Sequence, residues 1–204
     1  MRALRILAIG TLITAALAAC GGGKSSGPSA PTTTTIVGPA VYDPNLPSTA
    51  WHWHVALGVY DCGVWMGDRP GSGVWEWPAA TPSGQPARAD DPNTYAGLHS
   101  HNDGLIHMEP ATPDEAGMNA TVGLYFAYGG WKLSATGFTF LDTTRTNGES
   151  CKGQPGKLQW WVNGKAHTGD PAAYKLYDRD VVVLAFLPAG AAYPGPPPSA
   201  KNLP

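Results

Sequence analysis

The sequence predicts a small α+β domain, mostly strands with one main helix. Three observations carry that expectation. Short runs rich in Val, Trp, Tyr and Phe recur between Gly, Asn and Asp turns. One segment combines a helix start with an apolar stripe at helical spacing, and Val181 to Leu187 is an almost unbroken apolar run of the kind a central strand carries. A β-sandwich is the alternative architecture.

In chain order, Arg2 and Arg5 form a short positive region, and Ile6 to Ala19 is an apolar run with the length and flanks of a signal peptide. It ends at Leu17-Ala18-Ala19-Cys20, which resembles the lipobox of bacterial lipoproteins. The resemblance implies removal of residues 1–19, diacylation of Cys20, and a protein held on the extracytoplasmic face of the cell membrane. Two acyl chains anchor durably where one is marginal. A plain secretory signal with an incidental cysteine is the alternative. Residues 20–47 are rich in Gly, Ser, Pro and Thr and read as a disordered tether.

Residues 48–187 then form a single globular domain of roughly 140 residues, enough for a real core. His52 to Tyr60 reads as a strand, Asp61-Cys62-Gly63 as a turn, and Val64 to Met66 as a second short apolar piece. Arg69 to Asn93, around Val74-Trp75-Glu76-Trp77, reads as a long irregular loop. Leu105 to Met108 is the next strand. Period-two alternation sends Ile106 and Met108 to the core and puts Leu105, His107 and Glu109 on the other face. Thr112-Pro113-Asp114-Glu115 has the pattern of a capping box, with Thr112 as cap and Pro113 at the first helical position. A helix from there would carry Val122, Leu124, Tyr125 and Phe126 as its stripe and stop at Gly129-Gly130.

Phe138 to Leu141, Leu158 to Val162, the Asn163-Gly164 hairpin turn and Lys165 to His167 follow, before the closing strand. Trp161-Val162-Asn163-Gly164-Lys165 followed by Asp178-Arg179-Asp180-Val181-Val182-Val183 resembles the last strands of β-grasp domains. Residues 188–204, with Pro196-Pro197-Pro198, read as an extended or disordered tail.

The formal charge is −2, and loss of Arg2 and Arg5 makes it −4. With no basic block, no nucleic-acid partner is expected. Beyond Cys20, Cys62 and Cys151 are most simply a disulfide outside the cytoplasm, with metal ligation or free thiols as alternatives.

The chemistry concentrates in histidine. Five of the six fall into two clusters, His52/His54 and His99/His101/His107, the second followed by Glu109. A strand points residues i and i+2 to one face, so each pair can present two imidazoles side by side. Neutral imidazole suits Zn(II), Cu(II), Ni(II) and Fe(II), and Glu109 or Asp103 can complete the shell or orient a ligand histidine. His99 and His101 rank first, because a rigid strand follows them; His107 comes next. His52 and His54 require the first strand to lie beside the second. His167 reads as a hydrogen-bonding residue apart from the site. No zincin, cupin-like or deaminase spacing is present, and Cys151, His167 and Met108 or Met118 are too scattered for a blue-copper site.

Three segments, Trp-His-Trp-His-Val-Ala-Leu-Gly-Val-Tyr-Asp-Cys at 51–62, His-Ser-His-Asn-Asp-Gly-Leu-Ile-His-Met-Glu at 99–109 and Asn-Ala-Thr-Val-Gly-Leu-Tyr-Phe at 119–126, resemble an uncharacterised family of secreted actinobacterial proteins. The likeness covers most of residues 50–187 and implies one domain. It implies no activity. Members often carry a further histidine where this chain has Glu109, which disfavours the softer Cu(I).

The leading functional expectation is a membrane-tethered, extracytoplasmic zinc- or copper-binding protein. Its partners would be the bilayer through acylated Cys20 and an envelope protein or metal donor or acceptor. A metal-dependent hydrolase or other metalloenzyme, with Glu109 or Asp103 as general base, is the second reading. A carbohydrate- or envelope-binding module is the third, since eight tryptophans are many and Trp75, Trp77, Trp160 and Trp161 could stack on sugars.

Overall fold

The computed structural model describes residues 52–67, 86–101 and 103–204. The leader, the lipobox, the tether and Trp75/Trp77 lie outside the described residues. Eleven strands and one α-helix are present among those described: β1 (Trp53–Asp61), β2 (Val64–Trp65), β3 (Leu98–His99), β4 (Leu105–Met108), α1 (Val122–Tyr128), β5 (Lys132–Ser134), β6 (Gly137–Phe140), β7 (Thr143–Thr146), β8 (Ser150–Cys151), β9 (Gln154–Val162), β10 (Lys165–His167) and β11 (Val181–Pro188). Mostly strands with one helix is thus the observed class.

The main sheet runs β10-β9-β11-β1-β4-β3, with β2 also paired to β1 and β8 to β9; β5-β6-β7 form a separate three-stranded sheet. β1 and β11 are parallel, with Ala56 opposite Val181 and Asp61 opposite Phe186. β4 and β9 flank this central pair antiparallel. The β9–β10 turn is made by Asn163 at φ 50° and Gly164 at φ 75°, the left-handed pair an Asn-Gly hairpin needs.

Alternation along β1 sends Trp53, Val55, Leu57 and Val59 into the main core. There they meet Ile106 and Met108 of β4, Val182, Leu184 and Phe186 of β11, and Val122, Tyr125 and Phe126 of α1. Truncating a fully buried ring such as Phe186 to Ala would cost about 3–5 kcal/mol. The opposite face of β11 is buried as well, since Val183, Ala185 and Leu187 join Trp161 in a second cluster with Tyr60, Trp65 and Tyr193. Burial on both faces explains why β11 reads as an unbroken apolar run.

Two expectations change. The helix does not begin at Thr112. Pro113–Glu115 make only a 3-10 turn in which Thr112 gives no side-chain cap, and Gly117 turns the chain at φ 57°. Helix α1 starts after Thr121, whose Oγ1 accepts from Leu124 N at 3.1 Å. The Glu115 carboxylate is used elsewhere: it is fully buried and accepts from Gly97 N (3.1 Å), Ala111 N (2.7 Å) and Arg88 Nη2 (3.0 Å).

The Pro-rich end is ordered: it is extended to Pro197, makes a 3-10 turn over Pro198–Asn202, and packs on the sheet. Tyr193 packs on Trp161 with ring centroids 5.5 Å apart, and Asn202 Nδ2 donates to Asp103 O at 2.8 Å. Glycine makes the close approach of this strap to the sheet feasible, because a Cβ at Gly58 would sit 2.5 Å from Pro197 and one at Gly104 2.5 Å from Ser199. A proline-rich segment also has less conformational entropy to lose on docking than an ordinary tail.

Cys62, in the turn after β1, and Cys151, on β8, form a disulfide across 89 residues of sequence. The cysteines are therefore not metal ligands. Nearby, Arg145 of β7 donates to both carboxylate oxygens of Asp61 at 2.7 and 2.8 Å, a second tie between the end of β1 and the later strands. Among the described residues no helix is long and apolar enough to cross a membrane.

Candidate metal centre

Strand register assembles the site. His54 of β1 lies opposite His107 of β4, and His107 lies opposite His99 of β3. Three imidazoles therefore stand in one row across three adjacent strands, on the face turned away from the main core. Continuing the β1/β4 register by two residues puts His52 beside Glu109, and His52 Nε2 lies 3.0 Å from Glu109 Oε1. The condition attached to His52 and His54, adjacency of the first two strands, is met.

The start of β1 is held at both backbone groups. His54 N donates to Asp178 Oδ1 at 3.0 Å, and His54 O accepts from Arg179 N at 2.7 Å. Arg179 sits at φ 64°, so the acidic turn is shaped to make this contact. Asp180 fixes the turn from within, accepting from Asn163 Nδ2 at 2.8 Å and Tyr174 OH at 2.7 Å.

His52, His54 and His107 each offer a ligand nitrogen, and these atoms all lie within 4.8 Å of one another. Three histidines in that arrangement can hold a metal ion. Their rings stand 4.4–5.0 Å apart, and His52 Nε2 is 2.7 Å from His107 Nδ1.

The hydrogen bonds assign the buried tautomers. His107 Nε2 donates to Asp103 Oδ2 at 2.8 Å, since an ionised carboxylate only accepts. Nδ1 of His107 is thereby left with a bare lone pair facing His52. This is the carboxylate–histidine arrangement that orients ligand imidazoles in metal sites. Likewise His99 Nδ1 donates to the Ala96 carbonyl at 2.8 Å, leaving Nε2 bare toward His101 Nε2 at 2.8 Å.

Electrostatics favour neutral imidazoles. Burial, reinforced by the neighbouring His52 and His107 against the pull of Asp178, lowers His54 to about 4. Burial likewise lowers His99, with the Ala96 carbonyl opposing it. His107 is lowered by burial in spite of Asp103. For Asp103, burial pushes upward, but hydrogen bonds from Leu105 N and His107 outweigh it and hold the carboxyl below its usual range. Neutral imidazoles beside an ionised carboxylate are the protonation states a divalent cation needs.

The ranking of ligands differs from the sequence expectation. His99 and His101 are adjacent to the site, with the His101 ring 4.6 Å from that of His107. Among the described residues, however, the group whose ligand atoms converge is His52, His54 and His107. Cross-strand pairing has brought together residues 53 apart in sequence, which local spacing does not reveal. Glu109 lies beside His52, its Oε2 accepting from Tyr95 OH at 2.8 Å. Tyr95 and Asp178 were missed by sequence reasoning. Only the acidic turn gave a signal for Asp178; nothing local marked Tyr95.

His167 is exposed and packs at a tilt against Trp160, centroids 4.7 Å apart, away from the cluster. Trp160 and Trp161 are each only 6% exposed, so neither offers a sugar-stacking face. The main core takes one and the second cluster the other. No protein family, curated protein or solved structure matches the chain.

Proposed function

We propose that this is a membrane-tethered, extracytoplasmic protein that binds a transition metal ion, zinc or copper, through His52, His54 and His107. The observation that carries the reading is the Asp103-held tautomer of His107. A bare Nδ1 is aimed into a three-histidine group from a buried, oriented ring. The Cys62–Cys151 disulfide supports an oxidising compartment, and the lipobox-like Leu17-Ala18-Ala19-Cys20 supports the tether. We also read the main sheet as β-grasp in type, in preference to a β-sandwich. The support is its parallel central pair of first and last strands, flanked by antiparallel neighbours.

One observation favours a metalloenzyme as the second reading. Three protein ligands leave a coordination position open, as catalytic zinc sites do, and the His52 side chain is 41% exposed. Glu109, 3.0 Å from His52 Nε2, would be the carboxylate to serve as general base toward a metal-bound water. Ester and phosphoester hydrolysis by the zinc-loaded protein, abolished in Glu109→Gln with metal content unchanged, would select this reading over simple binding.

The test of metal binding is elemental analysis of the mature chain from residue 20, carrying Cys20→Ser and purified without a histidine tag. At least one equivalent of zinc or copper, reduced by one equivalent in His54→Ala/His107→Ala and unchanged in His167→Ala, supports the proposal. Metal absent from the wild type even after titration with Zn(II), Cu(II), Ni(II) and anaerobic Fe(II) overturns it.

A further inference from the structure

We infer that the cluster holds two metal ions side by side, the second bound by His99 and His101 with Glu109 between the two positions. The inference rests on the three-histidine reading and extends it to a dinuclear site for first-row divalent cations.

Four observations carry it. First, five imidazoles and one carboxylate are more donors than one ion uses, since three or four ligands fill a zinc shell. Second, the donors fall into two sets. The ligand atoms of His52, His54 and His107 converge within 4.8 Å of one another, while His99 and His101 present their Nε2 atoms to each other at 2.8 Å. Third, His99 is 1% exposed and its Nδ1 is committed to the Ala96 carbonyl, so its bare Nε2 is fixed in direction. His101 is exposed and free to move its remaining proton to Nδ1, on the water side. Two nitrogens on one tetrahedral zinc stand roughly 3.3 Å apart, given zinc–nitrogen bonds of about 2.0–2.1 Å. A small rotation of the exposed His101 supplies the difference.

Fourth, the two sets adjoin. The His99 and His107 rings are parallel within 8° at 5.7 Å, and the His101 ring is 4.6 Å from that of His107. Glu109 contacts the first set directly, with Oε1 3.0 Å from His52 Nε2, and its Oε2 is held by Tyr95 OH at 2.8 Å. The Tyr95 ring in turn stands 5.7 Å from His99. A carboxylate so placed can bridge two cations and offset part of their mutual repulsion, the usual arrangement where two metals sit about 3.5–4 Å apart.

The experiment is a zinc titration of the mature chain carrying Cys20→Ser, read by calorimetry and by elemental analysis after desalting. His101→Ala removes an exposed ring, and His99→Gln/His101→Ala removes the pair while keeping an amide to hydrogen-bond near Ala96. Wild type should bind two zinc ions, and both variants one. Loading with Cu(II) should give a spectrum broadened by spin–spin interaction in wild type and an isolated-ion spectrum in His101→Ala. The copper readout needs only this exposed-site variant, so misfolding of the double variant cannot mask the answer. One ion in wild type, with affinity unchanged in His101→Ala and lost in His54→Ala/His107→Ala, overturns the second site and leaves the first standing. Two ions in wild type and still two in His101→Ala also overturns it. No binding in wild type overturns both.

Discussion

Asp103→Asn separates an oriented metal ligand from an incidental histidine cluster. Asp103 uses both oxygens: Oδ1 accepts from Leu105 N at 3.0 Å, and Oδ2 accepts from His107 Nε2 at 2.8 Å. Asparagine has one oxygen and one NH2 in the same place. If its oxygen stays with Leu105 N, its NH2 faces His107 Nε2, and the imidazole must move its proton to Nδ1. That is the nitrogen 2.7 Å from His52 Nε2, and once protonated it cannot ligate. If the amide flips instead, His107 keeps its tautomer but Leu105 N faces a donor. The first outcome loses the ligating lone pair and the second a backbone hydrogen bond. Loss of such an orienting partner costs about 10–100-fold in metal affinity, or about 1.4–2.7 kcal/mol. The assay is competition against a chelator of known zinc affinity near pH 7.5. Imidazole nitrogen shifts by NMR report the His107 tautomer in parallel. Wild-type affinity in Asp103→Asn, with Nε2 still protonated, would refute the reasoning, because His107 would then need no help from Asp103.

Glu115→Ala leaves Arg88 without its buried partner and two backbone donors, Gly97 N and Ala111 N, without an acceptor. Breaking a buried pair costs about 3–5 kcal/mol, so calorimetry should show melting lowered by roughly 6–20 °C. Reducing the Cys62–Cys151 bridge across its 89 residues removes up to about 4.6 kcal/mol on the loop-entropy account. Denaturant unfolding with and without reductant measures it, and an unchanged midpoint would show the bridge to be idle. In metal-free protein the lowered histidines set an acid limit. Their unfolded forms bind protons that the folded forms do not, so stability is complete above about pH 6.5. It falls as pH drops through the window down to about 4, the folded value for His54. His54 alone accounts for roughly 1–3 kcal/mol after allowance for its partial exposure. Unfolding free energies that stay flat between pH 7 and 4.5 would contradict the assigned neutral states. Saturating zinc should move the onset of unfolding, because bound metal stabilises the fold by mass action.

The strands were legible where composition and periodicity agree. β1, β4, β9, the Asn163-Gly164 turn and β11 all carry apolar or β-branched runs between turn residues. The helix start was misread because a capping box is a local pattern, and Glu115 answers to distant partners, Arg88 and Gly97 among them. Thr121 does the capping, nine residues further along the chain. The strap formed by the C-terminal segment was hidden for a related reason. Proline content predicts an extended chain, not the 3-10 turn at Pro198–Asn202 or the path that Gly58 and Gly104 clear for it. At the site, the residue types and the shared face of each i,i+2 pair were readable. The pairing of His54 with His107 was not, because register is set by the whole sheet. That pairing changes which histidines lead.

X-ray absorption at the zinc edge of the loaded mature protein tests the central claim most directly. The account predicts an average of two to three imidazole nitrogens at about 2.0–2.1 Å, no sulfur, and a reduced imidazole count in His54→Ala/His107→Ala. A shell of oxygens only, or the same imidazole count in that variant, would contradict the assignment of the metal to this cluster.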